Sequence, residues 1–279
     1  MAPYSTQVMW GPGLIGCIIA TMLYGISFGQ YMFYLRSFPQ DSKTLKLFVM
    51  TVFLFDTIHQ CALIGIFWST LISCRRSTSL ECTTELSWQL LLGVFMGYSI
   101  IFFVQCFYAY RVWIITGNNY WITGIICALT TASFVCGMIV CCLGLYTRSP
   151  EVIFSTKWSP ISSFVSALCD SVITGSVWLF MRPARRGNVR RKSRDYISDM
   201  MWIFINMGLF SCILAISVTV VYMFQDGLIG QFYTAAPGAV IGKSYMNSMM
   251  TVLNARKSIR ERERLGYNLT ELPTIPTIR

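Results

Sequence analysis

Residues 237–262 read PGAVIGKSYMNSMMTVLNARKSIRER, and the reading of Lys243 within them decides what kind of molecule this is. The lysine lies inside an apolar run that begins near Phe232 and ends at a basic border of Arg256, Lys257 and Arg260. A charge in such a run is tolerated where it has a partner inside a helix bundle or a water-filled site.

The rest of the chain says that the run belongs in a membrane. Of 279 residues, 54% are hydrophobic and only 12% charged, with mean hydropathy +0.56. Soluble domains carry about 25% charged residues, so polar surface is scarce here. A membrane helix needs roughly 20 apolar residues. Seven stretches offer that length, at about 11–35, 46–72, 88–115, 121–145, 158–181, 197–224 and 232–254. The third, fourth and sixth are the clearest by hydropathy; the seventh, with Pro237, Lys243 and Asn247, is the weakest. Each must be helical to satisfy its own backbone in lipid. The expected fold is all-α: a polytopic seven-helix transmembrane domain over 1–254, followed by a basic tail over 255–279. The amino terminus lacks the pattern of a cleaved secretory signal, so the first span is expected to direct insertion and remain.

Most of the 22 lysines and arginines fall on one side of these spans. Arg182, Arg185, Arg186, Arg190, Arg191, Lys192 and Arg194 crowd the fifth connection, and Arg256, Lys257, Arg260, Arg262 and Arg264 follow the seventh span. The positive-inside rule then places the amino terminus outside and the carboxyl terminus in the cytosol. The net charge of +10 is a topology signal and no argument for nucleic acid. Residues 182–194 are expected to attract anionic inner-leaflet lipids. Ser193 follows Arg190-Arg191-Lys192 and is a candidate phosphosite whose phosphate would weaken that attraction. The expected location is the plasma membrane or another membrane of the secretory pathway.

Nine of the eleven cysteines lie in apolar runs and read as small hydrophobes. Cys74 and Cys82 share a connection on the outer side, where either a disulfide or two free thiols fits. Asn268-Leu-Thr270 has the glycosylation pattern, but on the cytosolic tail it should stay bare. Gly25/Gly29, Gly93/Gly97 and Gly238/Gly242 are small-residue pairs that suit close helix packing.

Three ionisable groups reach mid-depth. Asp56 lies about 15 Å along a helix from Lys46, Asp170 about 18 Å from Trp158, and Lys243 about 20 Å from Arg256. An internal pair of Lys243 with Asp170 or with Asp56 is expected. His59 shares a helix face with Asp56, close enough in spacing to share a proton. Lys243, Asn247, Thr251 and Asn254 form a polar stripe that should face the bundle, as should Ser166, Asp170 and Thr174. Two readings stay open for Asp56, His59, Asp170, Lys243 and Asn247: a network that sets helix register, or a ligand, ion or proton site. With a single histidine and no nucleophile elbow, no metal site, no catalytic set and no cofactor is expected.

The sequence GPGLIGCIIATMLYGISFGQYMFYLRSFPQDSKTLKLFV, the motifs Asp56-x-x-His59, Asp170-x-x-Ile173-Thr174 and Lys243-x-Tyr245-x-Asn247-Ser248, and Leu253-Asn254-Ala255-Arg256 follow a pattern. In combination they resemble a group of basidiomycete fungal seven-helix membrane proteins, with a domain of unknown function over about 160–260. The resemblance implies membrane placement, seven helices and a fungal origin, and brings no activity. Residues 205–216, INMGLFSCILAI, depart from the threonine-rich stretch usual in that group. The function expected is receptor-like or sensory, with a small-ligand site in the bundle. A proton- or ion-coupled transporter, or a structural membrane organiser without ligand, are the alternatives.

Overall fold

The computed structural model describes residues 6–73, 86–186, 191–224 and 232–270. Among these the regular structure is all helical, with seven long helices. They are α1 Thr6–Ser37, α2 Lys43–Trp68, α3 Trp88–Ile115, α4 Tyr120–Thr147, α5 Trp158–Arg186, α6 Arg191–Met223 and α7 Ala235–Thr270. A π-helical turn, Ser69–Ser73, extends α2, and a short helix, Pro150–Ser155, precedes α5.

Local chemistry sets several ends. Ser42 and Ser87 accept from the backbone N–H groups of Leu45 and Leu90, capping α2 and α3. Between α3 and α4 the chain reverses through Gly117 and Asn118, both at positive φ (65° and 67°), a conformation these two residue types adopt readily. Asn119 then caps α4 by accepting from Trp121 and Ile122.

Among the described residues, five helices are long and apolar enough to cross a membrane: Trp10–Ser37, Lys43–Ile72, Trp88–Ile115, Tyr120–Thr147 and Trp158–Met181. The sixth, expected to be among the clearest, offers among the described residues only a shorter apolar stretch, Gly208–Met223. The seventh carries too much polarity and continues unbroken to Thr270, about 54 Å in all. Outward faces are apolar as lipid contact requires: Ile15, Met22, Ile64 and Ile213 are each at least half exposed.

Helices adjacent in sequence pack on one another, and α7 closes the ring against α1 and α6. α3 runs inside, touching α5 and α7 as well as its sequence neighbours. The main buried cluster, around Ile100, Val104, Tyr245, Met249 and Leu253, fills the middle and the end that carries Asp41 and Arg256. A smaller cluster, around Leu63, Leu90, Val140 and Ala239, fills the end that carries Trp10.

Close approaches are made by glycines, though only partly by the pairs the spacing suggests. A Cβ on Gly16 would lie 2.7 Å from the Ala236 backbone, locking α1 to α7, and one on Gly137 would enter the Tyr98 ring. Gly93 faces Ala62, and Gly97 faces His59 and approaches Gly242. Gly25, Gly29 and Gly238 meet nothing within 4 Å, so the Gly25/Gly29 pair is not a helix contact among the described residues. Cys74 and Cys82 lie outside the described residues. Ser193 falls in the first turn of α6, with its side chain outside them too.

Candidate functional site

Lys243 is held by α2. Its ammonium donates to Asp56 Oδ1 and to the Asp56 main-chain oxygen, both at 2.7 Å, and both side chains have no exposed surface. The Tyr24 ring covers another side of the ammonium, 4.9 Å away at its centroid. Buried away from bulk solvent, such a pair attracts strongly and offsets part of the cost of desolvating both charges. Asp56 Oδ2 remains without a partner.

Asp170 does not join this pair. Tyr245 donates to Asp170 Oδ2 at 2.5 Å, and the Gln105 amide donates to Asp170 Oδ1 at 3.2 Å and to Ser166 Oγ at 2.9 Å. The Ser166 hydroxyl also meets the Tyr245 hydroxyl at 2.9 Å. The three charges therefore occupy two centres. Residues two apart on a helix point about 200° apart. Lys243 thus faces α1 and α2 while Tyr245 faces α3 and α5. One layer further along α7, Ser248 meets Tyr108 of α3.

The polar stripe of α7 packs on α1. Asn247 donates to the Leu23 carbonyl at 3.0 Å, Asn254 to the Gln30 carbonyl at 2.9 Å, and Gln30 to Thr251 Oγ1 at 3.1 Å. Asn247 is a tether between helices here. Thr174, of the second stripe, packs against Gly208 of α6.

His59 is one turn from Asp56 and almost fully buried, yet no hydrogen bond joins the two. Its Nδ1 has no partner. The imidazole instead lines a cavity of about 160 Å3 in the Trp10 end of the bundle. Ser166 lines the same inner end, and Trp10 and Phe67 the other. Ser166 therefore belongs at once to the cavity wall and to the Asp170 network. Among the described residues no group of three or more His, Cys, Asp or Glu is placed to hold a metal ion.

Sequence reasoning missed the cavity, Trp10 and Gln105, and gave Tyr245 no role. Gln105 and Tyr245 carried a signal, as polar groups at mid-depth in apolar helices. The cavity had none, because it is a space between side chains of many helices.

Five apolar membrane-length helices around a buried polar core define a multi-pass membrane protein of unestablished function. Residues 166–258 match a family of unknown function (DUF6534). The matched segment holds Ser166, Asp170, Lys243, Tyr245 and Asn247, while Asp56, His59 and Gln105 lie outside it. No curated protein matches the sequence.

Proposed function

We propose that this chain is a seven-helix, receptor-like membrane protein that senses a small ligand in the cavity at the Trp10 end. The cavity carries the reading. It lies between converging helices, as ligand sites in bundles do. Its inner end is polar, and through Ser166 it touches the hydrogen-bond network that joins α3, α5 and α7. A ligand there can bias how those three helices pack, which is what a sensor needs.

The basic residues favour an orientation with the Trp10 end outside and the Arg256 end in the cytosol. Residues 182–194 then face anionic lipid in the inner leaflet. The role is binding rather than catalysis, without metal or cofactor. The resemblance to basidiomycete seven-helix proteins belongs with this reading. A carrier would need its charges to be reached in turn, whereas Lys243 and Asp56 are wholly buried and neither lines the cavity.

The test is thermal unfolding of the protein in lipid nanodiscs against small neutral compounds, run beside flux measurements in proteoliposomes. Compounds that stabilise the wild type but not Gly238→Leu, which places a side chain at the cavity wall, support the reading. Gradient-driven flux without such stabilisation would replace it with a carrier, and neither response would sink it.

A further inference from the structure

The wall of the cavity also restricts the chemistry of its occupant. Resting on the receptor reading above, we propose that the cavity takes a slender, neutral, mono-oxygenated hydrocarbon, an alcohol, aldehyde or ketone, with its oxygen at His59.

Charge is the first restriction. None of the described lining residues is Asp, Glu, Lys or Arg. The nearest buried charges are already engaged, Lys243 with Asp56 and Asp170 with Tyr245 and Gln105. A carboxylate or ammonium placed here would lose its hydration and find no counter-charge. The occupant is therefore neutral.

Shape is the second. His59 and Phe67 line opposite ends on α2, eight residues or about 12 Å apart along the helix. A volume of about 160 Å3 is close to that of cavities that hold one benzene ring. Spread over that length, the space is narrow, and it suits an extended chain better than a fused ring system. The wall between the ends is apolar or bare backbone over much of its area, with Leu63, Ile66, Gly93 and Ala239 contributing.

Polarity is the third. Lining side chains include two buried polar atoms without partners, His59 Nδ1 and Trp10 Nε1. Unpaired buried polar atoms are costly, and a ligand that satisfies one gains that cost back. An imidazole donates from one ring nitrogen and accepts at the other, so His59 can receive a hydroxyl or a carbonyl. Trp10 donates only, and it stands at the far end, so it cannot serve the same ligand oxygen as His59. Ser166 lines the same cavity as His59 and carries the effect of occupancy to Tyr245 and Asp170.

The experiment uses the full chain in nanodiscs and four eight-carbon probes: octanol, octane, octanoate and octylammonium. Binding is read as the saturable difference between wild type and Gly238→Leu, which removes the background of partition into lipid. The expected result is octanol binding at least about tenfold tighter than each of the other three, with His59→Phe reducing octanol to the level of octane. Ala239→Leu serves as a second filled variant should Gly238→Leu fail to fold. Octane equal to octanol would show a site for hydrocarbon tails and overturn the oxygen claim. Tighter octanoate or octylammonium would overturn neutrality while leaving the receptor reading in place. No saturable binding of any probe would overturn this inference, and the receptor reading falls only if the nanodisc unfolding screen is negative as well.

Discussion

Lys243 of α7 is paired with Asp56 of α2, not with Asp170 of α5, although all three lie at similar depth. That choice separates a sealed ion pair from a hydrogen-bonded carboxylate reached through Ser166 by the cavity, and it makes the two aspartates behave differently on mutation.

Lys243→Met leaves a buried carboxylate without its cation and should cost about 3–5 kcal/mol. Adding Asp56→Asn should recover part of that loss, and adding Asp170→Asn should recover none. Thermal unfolding of the single and double variants in detergent measures both couplings. Recovery by Asp170→Asn alone would contradict the pairing.

Tyr245→Phe removes a hydrogen bond to a carboxylate and should cost about 1.5–3 kcal/mol. Its coupling to Asp170→Asn in a double-mutant cycle should be large, and its coupling to Asp56→Asn close to zero, because the two centres share no partner. Equal couplings would mean one merged network.

Two glycines of α1 should diverge. Gly16→Ala drives a methyl into the Ala236 backbone and should destabilise by about 1–3 kcal/mol. Gly25→Ala meets open space and should be neutral or stabilise by up to about 1 kcal/mol through helix propensity. Unfolding midpoints of the two variants decide it.

At the other end Arg256 grips Asp41, at 2.8 Å from Nη2 to Oδ2, and stacks on the Phe38 ring with its guanidinium carbon 4.3 Å from the centroid. Tyr34 adds a hydrogen bond to the same carboxylate. Arg256→Lys keeps the charge but loses the fork and the flat stacking surface, so it should lower stability nearly as much as Arg256→Leu. A lysine variant as stable as wild type would show that charge alone matters there.

Orientation has its own readout. Asn268 should carry no sugar when the chain passes through a glycosylating secretory pathway, and an acceptor site introduced before Trp10 should be modified. A glycosidase-sensitive shift in gel mobility reports each, and the reverse pattern would invert the topology.

Much of this was legible in the residues. Runs of about 25 apolar residues located the helices, because a backbone in lipid must bond to itself. The buried charges announced themselves through their desolvation cost, and the 1.5 Å rise placed Asp56, Asp170 and Lys243 at one depth. The stripe from Lys243 to Asn254 was recognised as facing protein, though not as facing α1. The glycine pairs were read too evenly, since spacing does not report which neighbour a face meets.

Depth along a helix and the need for a buried partner were thus determined by the sequence alone, since both follow from local geometry and solvation. Which partner, and where the bundle leaves space, were decided only by the tertiary structure. Those depend on how each helix is rotated toward its neighbours, and rotation is set by side-chain packing among all of them at once. Asp56 and Asp170 were equivalent on paper; the turn of α7 that points Lys243 at α2 and Tyr245 at α5 made one half of an ion pair and the other the acceptor of a hydrogen-bond network that meets the cavity at Ser166.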